Sequence, residues 1–160
     1  MTSRLLQLHK GFVVLLMSVL LTSCGSSDIY NQYDTFADNN WHFDSISRFA
    51  VEVKDTSLHY NVFVNLRHTE EYTYQNFWLF VESIGADSML HRDTIGVEVA
   101  DMYGKWRGAG SASMFQLAVP LSLNQQFAKP GIYQYALRHG MRDTVLSGIK
   151  NIGIRIEKTY

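Results

Sequence analysis

Residues 58–66 read Leu58-His59-Tyr60-Asn61-Val62-Phe63-Val64-Asn65-Leu66. The even positions are Leu, Tyr, Val, Val and Leu, while the odd ones are His, Asn, Phe and Asn. Successive side chains point to opposite faces only in extended backbone, so this period of two predicts a strand with one buried face. The same period recurs in Phe49, Val51 and Val53, in residues 94–99, and in Ile152, Ile154 and Ile156. Lys54-Asp55-Thr56-Ser57 supplies turn residues between the first two runs, so a hairpin is expected there. Residues 115–121 and 132–138 extend the series. Residues 77–82 are almost continuously apolar and read as a strand covered on both faces, with Trp78 in the core. Residues 123–127 suggest one helical turn ahead of Pro130-Gly131. No amphipathic helix of useful length is apparent. About seven to eight short strands with turns at roughly ten-residue spacing predict an all-β, antiparallel β-sandwich. Immunoglobulin-like and jelly-roll arrangements both satisfy that strand count.

The amino end is of another kind. Arg4 and Lys10 precede an apolar run over 12–21, and Leu21-Thr22-Ser23-Cys24 follows. A charged segment, an apolar segment and small residues make a secretory signal. Its apolar part is half of the roughly 20 residues a spanning helix needs. Cys24 is the sole cysteine of the chain, and its position resembles a bacterial lipobox. That resemblance implies cleavage before Cys24 and its lipidation by two or three acyl chains, palmitate among them. One chain holds a protein only reversibly, whereas two or more anchor it stably. The expected organisation is a signal peptide over 1–23, a lipidated cysteine and tether over 24–40, and the sandwich over 41–160. Ile29, Tyr30, Tyr33 and Phe36 allow either a short helix or an irregular packed segment within that tether. No disulfide can form within the mature chain.

Loss of Arg4 and Lys10 from 14 Lys+Arg leaves 12 against 15 Asp+Glu, a net charge of about −3. That balance speaks against nucleic acid as a partner and against polybasic binding to anionic lipid. His42, His59, His68, His91 and His139 are scattered without metal-ligand spacing, so no metal is expected and the histidines are read as partly exposed. No serine lies in Gly-x-Ser-x-Gly, and Glu70-Glu71 would point apart on a strand. The glycines of 101–110 match neither phosphate-binding pattern. The expectation is therefore no catalytic residue, no cofactor and no small-molecule substrate.

Two segments stand out as candidate contact surfaces. Tyr103, Lys105, Trp106 and Arg107 lie in a glycine-rich bend, where Trp106 is either a packed plug or part of a recognition loop. Tyr72 and Tyr74 lie between two apolar runs, as a lid on the sandwich end or as a binding tip. Aromatic residues and arginine are the types enriched at binding hot spots.

Asn65-Leu66-Arg67-His68-Thr69-Glu70-Glu71-Tyr72-Thr73-Tyr74-Gln75-Asn76 resembles a segment of the GldH-type gliding-motility lipoproteins. So do Asp101-x-x-Gly104-Lys105-Trp106-x-Gly108-x-Gly110, His139-x-Met141-Arg142 and Gly153-Ile154-Arg155-Ile156-Glu157-Lys158, in the family's order. The resemblance implies a lipid-anchored component of the gliding apparatus of the cell envelope. It implies no reaction, partners among the gliding or secretion envelope proteins, and overlap with type IX secretion. Because Gly25 stands where some bacteria place a retention aspartate, the outer membrane, facing the periplasm, is the expected location. A glycan-binding sandwich using Trp41, Trp78 and Trp106 is the alternative.

Overall fold

The alternating runs become strands in the computed structural model, which describes residues 27–111 and 113–159. The readings of residues 1–26, Cys24 among them, lie outside the described residues. In chain order the strands are β1 (Asp28–Thr35), β2 (Asn40–His42), β3 (Ser47–Val53), β4 (His59–His68), β5 (Asn76–Ile84), β6 (Leu90–Glu98), β7 (Ala109–Ser111), β8 (Met114–Gln125), β9 (Gly131–His139), β10 (Val145–Ser147) and β11 (Ile149–Thr159). A single 3-10 turn, Ala37–Asn39, is the only helical element among the described residues.

The long strands pair antiparallel as β1 with β11, β3 with β9, β4 with β8, and β5 with β6. First meets last, second meets second-to-last, and so inward. That is a long hairpin rolled into two sheets, ordered β1-β11-β4-β8-β7 and β3-β9-β5-β6. The sandwich is therefore a jelly roll, which settles the choice the strand count left open.

Inward faces carry the expected residues. Tyr60, Val62, Val64, Leu66 and His68 of β4 are buried, as are Phe49, Val51 and Val53 of β3. Ile152, Ile154 and Ile156 of β11 are fully buried, opposite Leu66, Val64 and Val62 on β4. Beside them, Gly153 lets β1 approach: a Cβ there would sit 2.4 Å from the Gln32 carbonyl oxygen and 2.8 Å from the Tyr33 ring.

Three expectations are corrected. The chain enters the sheet at Asp28, well before residue 41; Ile29, Tyr30, Tyr33 and Phe36 space an edge strand and its exit, not a helix. The eight long strands agree with the expected seven to eight; β1 is the one whose alternation is too weak to read. The three-residue strands β2, β7 and β10 are too short to show a period. Residues 123–125 continue β8, and Phe127 plugs the sandwich end against Tyr60 and Tyr133, with ring centroids at 5.3 and 4.5 Å.

The third correction bears on function. Strand β5 is buried on one face only: Phe77, Leu79 and Val81 point into the core, whereas Trp78 and Phe80 point to solvent. Nothing among the described residues forms a second layer over that face. An unbroken apolar run therefore reports two apolar faces, and only one of them is covered.

Truncation of Ile154 to Ala should lower stability by about 2–5 kcal/mol, the usual cost of such a cavity. Urea denaturation of the folded domain measures it, and a loss below about 1 kcal/mol would mean that β11 is not central to the core.

Candidate functional site

The two loops singled out from the sequence meet at one end of the sandwich. Both Val99 and Ala100 donate backbone N–H bonds to the Gln75 carbonyl, at 2.9 and 3.1 Å. The Trp106 ring lies 4.7 Å from His68, 5.9 Å from Phe115 and 6.4 Å from Tyr72, centroid to centroid. Tyr72 in turn meets Tyr74 at 5.9 Å and Phe77 at 6.4 Å. An aromatic cluster thus closes this end around a histidine.

That placement sorts the candidates. Tyr72 is buried, and its hydroxyl donates to the Asn76 carbonyl at 2.7 Å; it is a core residue and offers no contact surface. Burial pushes its phenol well above the usual range. Trp106 is half-buried, which matches the plug. Tyr74 is part-exposed and donates to Asp143 Oδ2 at 2.6 Å, tying its loop to the segment before β10. That bond raises the Tyr74 phenol above its ordinary value. Tyr103 is 85% exposed. Lys105 is exposed beside it, and Arg107 pairs with Glu98 at 2.9 Å on the surface. Asp101 holds this tip: its Oδ1 accepts the N–H of Tyr103 and of Lys105, at 2.9 and 3.0 Å. Those bonds, the one from Lys105 foremost, keep the Asp101 carboxyl below its ordinary value.

His68 and His139 are fully buried, contrary to the expectation of partly exposed histidines. His68 Nδ1 lies 3.1 Å from the Thr69 carbonyl. His139 is edge-on to Trp41 and Phe43, at 5.4 and 5.7 Å. Nε2 of His68 and both ring nitrogens of His139 lack a hydrogen-bond partner among the described residues. Burial pushes both imidazoles below their ordinary value. The sequence held the signal for His68, which extends the inward series Tyr60, Val62, Val64, Leu66.

The surface that sequence reasoning missed is the outer face of the four-stranded sheet. There the Arg138 guanidinium lies over Phe43 at 4.8 Å and over Phe80 at 5.4 Å. Trp78 is 45% exposed and rests on Gly96, where a Cβ would come within 2.9 Å of its ring. Ile46 is also exposed. The outer face of the five-stranded sheet is differently finished. Arg155 covers the Phe63 ring at 4.3 Å and pairs with Asp28 and Glu157, and Arg67 covers Tyr33 at 3.9 Å. One outer face is sealed by cations over rings; the other leaves rings open around one arginine.

A cleft of about 360 Å³ opens between the edges β6 and β8, floored by Val62, Val81 and Tyr135. Ser83 stands opposite His91, with Asp93 next along the same face, but no hydrogen bond joins these three. Nucleophilic catalysis needs a serine within hydrogen-bond reach of its base. The described residues hold no group of three or more His, Cys, Asp or Glu placed to bind a metal ion. None of their helices is long and apolar enough to cross a membrane.

Fold and surface together define a jelly-roll domain with one outer face on which aromatic rings stay open to solvent. The GldH lipoprotein family model matches residues 28–156, and the chain belongs to that family. It is 26% identical over 155 residues to a gliding motility lipoprotein GldH homolog of Christiangramia forsetii, covering 92% of this chain and 94% of that one. It is likewise 26% identical over 160 residues to the gliding motility lipoprotein GldH of Flavobacterium johnsoniae, covering 96% and 99%. Among solved structures, that of infectious bursal disease virus Gx strain aligns with 82% of this chain and 30% of its own at 14% identity, with a TM-score of 0.28. The chain is thus a gliding motility lipoprotein of the cell envelope.

The buried imidazoles make stability depend on pH. Above the unfolded-state value of about 6.5 both states hold neutral histidine, and the pair adds no pH dependence. Below it the unfolded chain binds protons that the buried rings resist, so stability falls as pH drops from about 6.5 until the folded rings themselves protonate. Thermal melts between pH 7.5 and 4.5 should show this loss. A His68→Phe/His139→Phe variant should have a shallower slope there; an unchanged slope would place the effect elsewhere.

Proposed function

We propose that this chain works as a non-enzymatic, lipid-anchored part of the gliding apparatus, acting by protein contact. The lipid is carried on Cys24, and the domain faces the periplasm from the outer membrane, within reach of the type IX secretion machinery. One observation carries the contact reading: the open outer face of β3-β9-β5-β6, where Arg138 lies between Phe43 and Phe80 beside the exposed Trp78. Rigid aromatic rings around an arginine are the composition of an interface hot spot. The polar tip at Tyr103, Lys105 and Arg107 is a second, smaller contact. The cleft with Ser83 and His91 supports no hydrolytic role while those side chains stay unbonded. Of the three tryptophans in the glycan-binding reading, Trp41 is buried and Trp106 half-buried, which leaves Trp78 alone on an open face.

Affinity capture of the lipoprotein from detergent-solubilised envelopes tests the contact. Trp78→Ala combined with Arg138→Ala should weaken recovery of envelope machinery by at least about tenfold, as loss of a hot spot does. The melting temperature should stay close to that of the unsubstituted protein, because both side chains lie on the surface. Equal recovery by the variant, or recovery no better than with an unrelated lipoprotein, would overturn the reading. Cys24→Ala should move the protein from the membrane to the soluble fraction.

A further inference from the structure

Only residues 25–27 separate Cys24 from the first residue of β1. Ser27 is already tied to the sheet, since its carbonyl accepts the Lys158 N–H at 3.0 Å. Four Cα steps, fully extended, span at most about 14 Å. A cysteine lipidated in the bilayer interface therefore cannot hold this domain at a distance. It keeps one particular end of the sandwich within about 14 Å of the lipid.

Register identifies that end. Asp28 pairs with Glu157, and Glu157 with Asn61 near the start of β4. The short 54–58 connection brings the end of β3 to the start of β4, and the 126–130 connection brings the end of β8 to the start of β9. Gln126 Nε2 joins the two connections by donating to the Thr56 carbonyl at 2.9 Å. Pairing of Ile84 with Leu90 puts the β5–β6 turn at this end too. The aromatic cluster of Trp106 and His68 is at the other end, about 30 Å away along the ten residues of β4.

The end nearest Cys24 exposes large apolar side chains: Ile84, Met89 and Leu90 at the β5–β6 turn, Leu123 near the end of β8 and Ile132 near the start of β9. Met89, Leu123 and Ile132 are more than half exposed, at 57%, 60% and 58%. Exposed Lys54 and Lys129 flank them, with Asp55 and Asp87 in the same connections. Mixed charge around apolar tips suits a headgroup layer of either charge and makes apolar burial the attractive force.

We infer that this end of the jelly roll is a lipid-contact surface, with Met89, Leu90, Leu123 and Ile132 dipping into the membrane interface. It rests on lipidation of Cys24. It sets the domain upright, so that the Tyr103 tip and the Trp106 cluster stand about 30 Å clear of the lipid.

The test uses the full lipidated protein on vesicles of phosphatidylethanolamine and phosphatidylglycerol. An environment-sensitive fluorophore is placed through Met89→Cys, and in a second variant through Met102→Cys at the far end, where Met102 is 79% exposed. Flotation with the vesicles reports the anchor, and quenching by aqueous iodide reports the contact. Floating protein with several-fold weaker quenching at position 89 than in detergent-free solution of the unlipidated domain, and unchanged quenching at position 102, is the expected result. Floating protein quenched equally at both positions overturns the contact while leaving the anchor intact. Protein that fails to float overturns the Cys24 reading, and the contact surface with it.

Discussion

Strand β11 is the member on which the jelly roll depends. It lies between the first strand and β4, and its inward isoleucines form the middle of the core. Pairing the ends of the chain leaves the five-stranded sheet open between β1 and β4 until β11 is in place, whereas β3-β9-β5-β6 needs nothing beyond His139. Contacts so distant in sequence cost loop entropy before they return stability, and folds of this kind form slowly. The approach of β1 to β11 also needs Gly153, since any side chain there would meet the backbone of Gln32. With a single cysteine in the sequence, no disulfide can form within the chain, and hydrophobic burial behind this closure carries the fold.

The far end is closed by a different device. Gly148 takes φ of +84° directly against the Tyr72 backbone, where a Cβ would fall 2.3 Å from the Tyr72 nitrogen. That close approach seats the Tyr72 loop over His68 and Trp106. The cluster then holds the Asp101 tip, whose exposed Tyr103 projects beyond it. A histidine in such a place stays neutral, because charging it would strand an ion among rings. Two of the four segments that resemble the family, 65–76 and 101–110, are therefore largely the two halves of this closure. Their aromatic residues are mostly structural, and the contact surface favoured here lies elsewhere, on β5 and β9.

Asymmetry between the two outer faces links packing to function. On the five-stranded sheet, Arg67 and Arg155 cover Tyr33 and Phe63, and carboxylates neutralise Arg155. On the four-stranded sheet, Trp78, Phe80 and Phe43 remain open around Arg138. Exposed apolar patches are common at binding surfaces, and the proposed contact is placed on this sheet for that reason. Fold alone would not have said so, since jelly rolls serve many unrelated roles.

Local alternation was enough to specify strands, because period two has a single structural cause. It predicted the inward faces of β3, β4 and β11 residue by residue, and even His68 follows from it. Motif content likewise pointed to the family. Alternation could not say which strands pair, since it is a property of one strand at a time. Nor could it say whether Trp78 faces the core or solvent: both faces of β5 are apolar, and only the absence of a second layer over that sheet decides. Burial of Tyr72 has the same origin, for its surroundings come from β4, β5 and the Trp106 loop. The sequence by itself determined an antiparallel β-sandwich carrying a cysteine in lipobox register. The tertiary structure alone decided the jelly-roll closure, where the first strand begins, and which aromatic residues are left exposed, because each depends on contacts between residues far apart along the chain.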